Sequence, residues 1–187
     1  MTGRVAVEGG GGAVGRVIGG LFGAAVARGH RGGLVFISTF EKQLDGKRRI
    51  VAPQEYRQAV APFDGLFCFP SVEADCIEGG GKLLFDEYAA LIDEFPLGDP
   101  ARMALETCIM GGMVQLSFDT AGRITLPESL CEMFGITDWV TVVGLKNRFQ
   151  IWSREAFRAR YPDLRQIAQA GLIQRARLRG QSAGAAE

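Results

Sequence analysis

The chain has 187 residues, 47% of them hydrophobic and 22% charged, with 21 basic side chains against 21 acidic ones. This is the make-up of an ordinary globular protein, one domain or two small fused ones, and a net charge of zero excludes a uniformly basic nucleic-acid binder, so any contact with a polyanion must come from local patches. Four scattered cysteines with no Cys-x-x-Cys pair, a lone histidine (His30) and no apolar run near the ~20 residues of a membrane span argue against zinc, disulfide, histidine-dependent catalytic and transmembrane classes.

Residues 1–34 are Gly-rich and admit three readings. Gly10-x-Gly12-x-x-Gly15 after Arg4-Val-Ala-Val7 matches a dinucleotide fingerprint, but the further βα units and the acidic residue about 20 positions on are missing. Val17 to Ala27, ending in Ala25-Val26-Ala27, has the shape of a signal peptide. The low-complexity composition favours the third reading, a disordered leader or a mis-called start ahead of Val35.

Ser38 to Leu44 is expected to be a strand. It enters a turn, Asp45-Gly46-Lys47-Arg48-Arg49-Ile50-Val51-Ala52-Pro53, and a short helix follows over Gln54 to Ala61, ended by Pro62. Leu66–Phe69 and Asp75–Glu78 read as strands, and Gly79-Gly80-Gly81 as a flexible link. Helices are expected over Leu83–Phe95, with Asp86, Glu87, Asp93 and Glu94 on a solvated face, and over Ala101–Met110, capped by Asp99-Pro100.

The same order of elements then recurs. Val114–Phe118 alternates as a half-buried strand does and leads into Asp119-Thr120-Ala121-Gly122-Arg123-Ile124-Thr125-Leu126-Pro127. A helix over Glu128–Phe134 with Gly135 as its cap, strands over Trp139–Val143 and Phe149–Trp152, and a helix from the Ser153 cap to Arg160, stopped by Pro162, complete the copy. Trp139 and Trp152 read as core anchors, and the four cysteines as small buried apolar side chains in a reducing cytosol. An amphipathic stretch, Leu164–Leu178, precedes a polar tail that reads as disordered. From Lys146 to Arg179 nine basic residues face two acidic ones, Glu155 and Asp163.

Both turns fit Asp-x-x-x-Arg-Ile-x-x-Pro, 74 residues apart. Aspartate favours a tight turn through its side-chain acceptor, and Gly46 and Gly122 are expected to supply positive φ. The arginine beyond each turn has a planar fork suited to guanine O6 and N7 or to a phosphate, and the aspartate four residues earlier can hold it. The plain alternative is an Asp–Arg pair that locks the turn and contacts nothing. Each copy is too small to bury a good core alone, whereas two packed together would share one.

The turns, together with Ser38-Thr39-Phe40-Glu41 and Val142-Val143-Gly144-x4-Phe149-x-Ile151-Trp152, make the stretch from Val35 to about Arg160 resemble the MraZ family of bacterial transcription regulators. The resemblance implies a mainly β, α+β fold: two tandem swapped-hairpin repeats of the AbrB/SpoVT type forming one pseudo-symmetric β-barrel, with repeats at 35–82 and 112–160, inserted helices at 83–111 and a basic helical segment and tail at 161–187. It implies a non-enzymatic, cytoplasmic, nucleoid-associated repressor that binds double-stranded DNA at short direct repeats upstream of the division and cell-wall gene cluster. It implies assembly of the subunits into a ring, and no cofactor, metal or small-molecule substrate. On this reading Arg49 and Arg123 contact DNA, Lys47 and Arg48 assist, and Asp45, Gly46, Asp119 and Gly122 orient the turns. The first turn departs from the family's Lys-Gly-Arg, reading Lys47-Arg48-Arg49. An AbrB-like antitoxin that binds a toxin through its C-terminal segment is the competing implication.

Overall fold

A period-two alternation around each turn, and a run of helix-forming residues between the copies, set up a mixed α+β architecture. The computed structural model describes residues 36–60 and 65–184, which lie in one unit, Leu34–Glu187. The fingerprint, signal-peptide and leader readings, and His30, fall outside the described residues.

The strands are β1 (Thr39–Gln43), β2 (Arg49–Val51), β3 (Leu66–Pro70), β4 (Ile77–Gly80), β5 (Val114–Leu116), β6 (Arg123–Thr125), β7 (Trp139–Gly144) and β8 (Phe149–Ser153). The helices are α1 (Gln54–Val60), α2 (Lys82–Asp93), α3 (Pro100–Leu105), α4 (Glu128–Met133) and α5 (Arg154–Gly184), with a π-helical turn at Glu106–Met110 after α3. Six strands form one antiparallel sheet in the order β1-β7-β8-β4-β3-β5, and β2 pairs with β6 in a separate ribbon. The sheet does not close into the expected barrel: among the described residues, β1 and β5 are its two edges. Exchanging β1–β4 for β5–β8 leaves the strand order unchanged. Each opening strand therefore pairs in the other half of the chain, β1 on β7 and β5 on β3, and β4 meets β8 at the centre.

The main core gathers Ile50, Tyr56, Val60, Leu66 and Ile77 from the first half with Ile124, Leu126, Leu130, Val140 and Ile151 from the second. Tyr56, 1% exposed, sits between Phe36 and Phe149 with ring centroids 5.0 and 5.4 Å away. Removing one such side chain from water contributes about 1.5–3 kcal/mol, so neither half keeps its core without the other. A second cluster forms where Leu84 and Tyr88 of α2 meet Phe69 of β3 and Ile109.

Three expectations need correction. Gly79 and Gly80 form no flexible link but lie buried in β4, where a Cβ on Gly79 would stand 2.6 Å from Phe149 Cζ and 2.9 Å from Cys68 Sγ. Pro162 does not end a helix: α5 runs through it to Gly184, taking in the start of the polar tail that the sequence suggests is disordered from Gly180. Proline removes one N–H and crowds the preceding turn, but good helix formers on both sides carry the helix past it. Of the cysteines, Cys68, Cys76 and Cys131 are buried as expected while Cys108 is exposed. The remaining elements lie within a few residues of their expected positions. Asp99 caps α3 by accepting from Ala101 N at 2.7 Å, Gly135 closes α4 at φ +59°, and Ser153 Oγ accepts from Ala156 N at 3.2 Å. Trp152 is buried, and Trp139 is half-buried beneath the Arg154 guanidinium, 5.1 Å from its ring centroid.

Candidate nucleic-acid interface

The two Asp-x-x-x-Arg turns have the same construction. In the first, Asp45 Oδ1 accepts from Lys47 N (2.9 Å) and Arg49 N (3.0 Å), and Oδ2 accepts from Arg49 Nε (2.7 Å). In the second, Asp119 Oδ1 accepts from Ala121 N (2.9 Å) and Arg123 N (2.9 Å), and Oδ2 accepts from Arg123 Nε (2.7 Å). Each turn is closed by a further backbone bond, Arg48 N to Asp45 O in the first and Gly122 N to Asp119 O in the second. The turns also bond to each other: Leu126 N donates to Arg48 O and Ala52 N to Gly122 O.

The ribbon sets the spacing. Ile50 faces Ile124, Arg49 faces Thr125 and Val51 faces Arg123. Ile50 and Ile124 are buried, so the alternation along each strand sends Arg49 and Arg123 to the opposite, outer face. They are diagonal neighbours, roughly 7–8 Å apart at Cα.

Ion pairing fixes the charges. Hydrogen bonds from Arg49 and from backbone N–H groups hold the Asp45 carboxyl well below the usual carboxylate range, and Asp119 is lowered by the equivalent bonds from Arg123. Arg49 is raised chiefly by its bond to Asp45, with the last and smallest contribution coming from the Asp119 charge across the ribbon. The aspartates occupy the Nε side of each fork. In the first turn Asp45 Oδ2 also meets Arg49 Nη2 at 2.7 Å, so the donors that suit an outside acceptor are those on the outer Nη1–Nη2 edge of each guanidinium.

Positive φ in the first turn does not come from Gly46, as the sequence suggests, but from Arg48 at φ +57°, the position matching Gly122 at φ +71°. The Arg48 side chain crosses to α4, with Nη1 3.3 Å from Glu128 Oε1. Lys47 is exposed at the tip of the turn. The structure thus brings Lys47, Arg48, Arg49 and Arg123 together on one surface and leaves Gly46 without the conformational role expected of it. A further arginine, Arg57 of α1, joins this surface by lying over Gly122. No local motif marks it. Only counting from the matched prolines, Pro53 and Pro127, shows that Arg57 stands where the second copy has Cys131.

Paired turns, each with an aspartate-held arginine, mounted on a shared antiparallel ribbon, define a class of two-fold arginine platforms. The family model for the MraZ protein, described as antitoxin-like, matches residues 109–178. The chain is 67% identical over 141 residues to the "Transcriptional regulator MraZ" of Phenylobacterium zucineum (strain HLK1), covering 75% of this chain and 88% of that one. It is 68% identical over 139 residues to the protein of the same description from Caulobacter vibrioides (strain NA1000 / CB15N), covering 74% and 89%, and 38% identical over 133 residues to that of Azorhizobium caulinodans, covering 70% and 85%. The chain belongs to the MraZ family.

Proposed function

We propose that this chain is a sequence-specific DNA-binding transcriptional regulator that represses the division and cell-wall gene cluster from short direct repeats upstream of its own operon. The observation that carries the reading is the pair of matched turns, each presenting a held arginine fork on the outer face of the β2–β6 ribbon. The relatives' description as transcriptional regulators supports it. Arg49 and Arg123 read guanine edges, Lys47 and Arg48 neutralise phosphates, and Asp45 and Asp119 hold the forks in register before DNA arrives. The two halves, 35–82 and 112–160, are tandem copies with exchanged hairpins, a reading supported by the strand order that survives their exchange. Segment 83–111 is an insertion between them and 161–187 an appended segment.

A single subunit offers only a few contacts. A ring of subunits makes each later contact intramolecular and raises avidity without net positive charge. The side chains Leu164, Ile167, Leu172 and Ile173, 38–72% exposed on α5, support assembly with other copies. The protein acts in the cytoplasm at the nucleoid; no helix among the described residues is long and apolar enough to cross a membrane. A gel shift on its own upstream DNA tests the reading. Arg49→Ala and Arg123→Ala should each cost ~1–3 kcal/mol per contact, and wild-type affinity should fall steeply with salt. An unchanged shift in the double variant would overturn it.

The same exposed α5 surface favours a second reading, an antitoxin that binds DNA through the turns and a toxin through α5. Co-purification of a small unrelated protein with the full chain would select it.

A further inference from the structure

The two turns match in backbone but not in sequence. Arg48 and Gly122 occupy the same left-handed position, close the same turn bond and receive the same bond from the opposite strand. One has the longest cationic side chain and the other has none. Arg57 makes up the difference. Its guanidinium lies where a Gly122 side chain would begin, with Cζ 2.7 Å and Cδ 3.1 Å from the position of a Cβ. On α4, the position equivalent to Arg57 is Cys131, a small thiol on which the Arg48 charge acts. Each turn is therefore covered by one guanidinium, sent from the turn to the helix in the first copy and from the helix to the turn in the second.

The two guanidiniums share a further property. Among the described residues, Arg48 and Arg57 are the arginines whose Nε is buried without a hydrogen-bond partner. Arg48 still has Glu128 at its tip. Arg57 has no carboxylate partner among the described residues, although it is half-buried. A partly desolvated cation without a counter-charge is costly, and a bound anion would offset that cost. Nε is buried and Nη1 lies nearest Gly122, so the terminal N–H groups are the donors that can meet a non-bridging oxygen of a phosphodiester.

We propose that Arg57 forms, over Gly122, the phosphate subsite of the second turn, supplying from α1 the backbone contact that Arg48 supplies from within the first. This rests on the DNA-binding reading above. Arg57 positions the duplex and carries no sequence information, which distinguishes it from Arg123 beside it.

Arg57→Gln tests this, because it keeps a long side chain over Gly122 and removes the charge. Affinity is read by fluorescence anisotropy across a salt series, on a duplex from upstream of its own coding sequence and on a scrambled duplex of equal length. Binding should weaken on both by the same factor, roughly 3- to 10-fold, with the log–log salt slope shallower by roughly 0.9 for each phosphate that is no longer neutralised. Arg57→Lys, which also serves if Arg57→Gln does not fold, should recover the salt slope. Arg123→Ala run alongside should instead change the ratio between the two duplexes. Wild-type affinity and slope in Arg57→Gln, with Arg123→Ala impaired, would reduce Arg57 to a space-filler. A changed ratio in Arg57→Gln would make it a base contact and overturn the phosphate assignment. No effect of Arg123→Ala would overturn the DNA reading itself.

Discussion

Arg48 holds a backbone conformation that local rules reserve for glycine, and it does so at the centre of the proposed contact surface. A left-handed non-glycine residue costs roughly 1–2 kcal/mol, and the exposed pair with Glu128 returns at most about 1 kcal/mol. Arg48→Gly should therefore leave stability unchanged or raise it by up to about 1 kcal/mol in urea unfolding, while weakening DNA binding in a salt-dependent way. A destabilised Arg48→Gly with full affinity would contradict both halves of that expectation. A pH prediction also belongs to this scale. Asp45 and Asp119 titrate below the usual aspartate value of 3.8 in the folded protein. Their contribution is fully present above about pH 4 and is lost as pH falls through their folded values. The urea midpoint should drop more steeply below pH 4 in the wild type than in Asp45→Asn/Asp119→Asn, and parallel curves would refute it. The aspartate–arginine pairing was legible in the sequence because its four-residue spacing is local. The roles of Arg48 and Arg57 were not, because the first breaks the glycine rule and the second depends on a neighbour 65 positions away.

Among the elements, β4 departs most from its sequence pattern. Paired glycines before a helix usually punctuate a chain, yet Gly79 is paired on both sides in the sheet and Gly80 pairs with Phe67, and Phe149 and Leu84 take the space their side chains would fill. No local pattern distinguishes a glycine kept for flexibility from one kept for a neighbour's bulk. Gly79→Ala pushes a methyl into Phe149 and Cys68 and should cost about 1–3 kcal/mol, as overpacking usually does. A melting temperature equal to wild type would show that the ring of Phe149 can move aside. The helices were more legible, because apolar spacing in α2 and the caps of α3 and α4 are local signals. Pro162 misleads for the opposite reason: a breaker is read from one residue, whereas α5 continues on the strength of its flanks.

For the whole molecule, the fold ties together what the turns need. Each half contributes its first strand to the other, so Arg49 and Arg123 keep their spacing only while both halves stay folded together. The recurring order of strand, turn, strand and short helix was legible in the sequence. The open sheet was not, since closure depends on strand tilt that sequence spacing does not encode. Side chains along 161–179 of α5 are exposed throughout. If α5 joins the subunits as proposed, a chain ending at Tyr161 should keep its unfolding free energy within about 1 kcal/mol of the full chain but lose mass in light scattering. Full-size assemblies from the shortened chain would move the subunit contacts elsewhere.

The mismatch between the turns has a consequence for direction. A perfectly two-fold reader fits a duplex equally well facing either way, and so cannot tell upstream from downstream. Here Lys47 stands opposite Ala121, and one covering cation belongs to its own turn while the other is lent by a helix. Each subunit is thereby an arrow. On the proposed function, arrows laid along DNA from neighbouring positions in a ring would all point the same way, and the site they would select is a head-to-tail series with no palindrome in it.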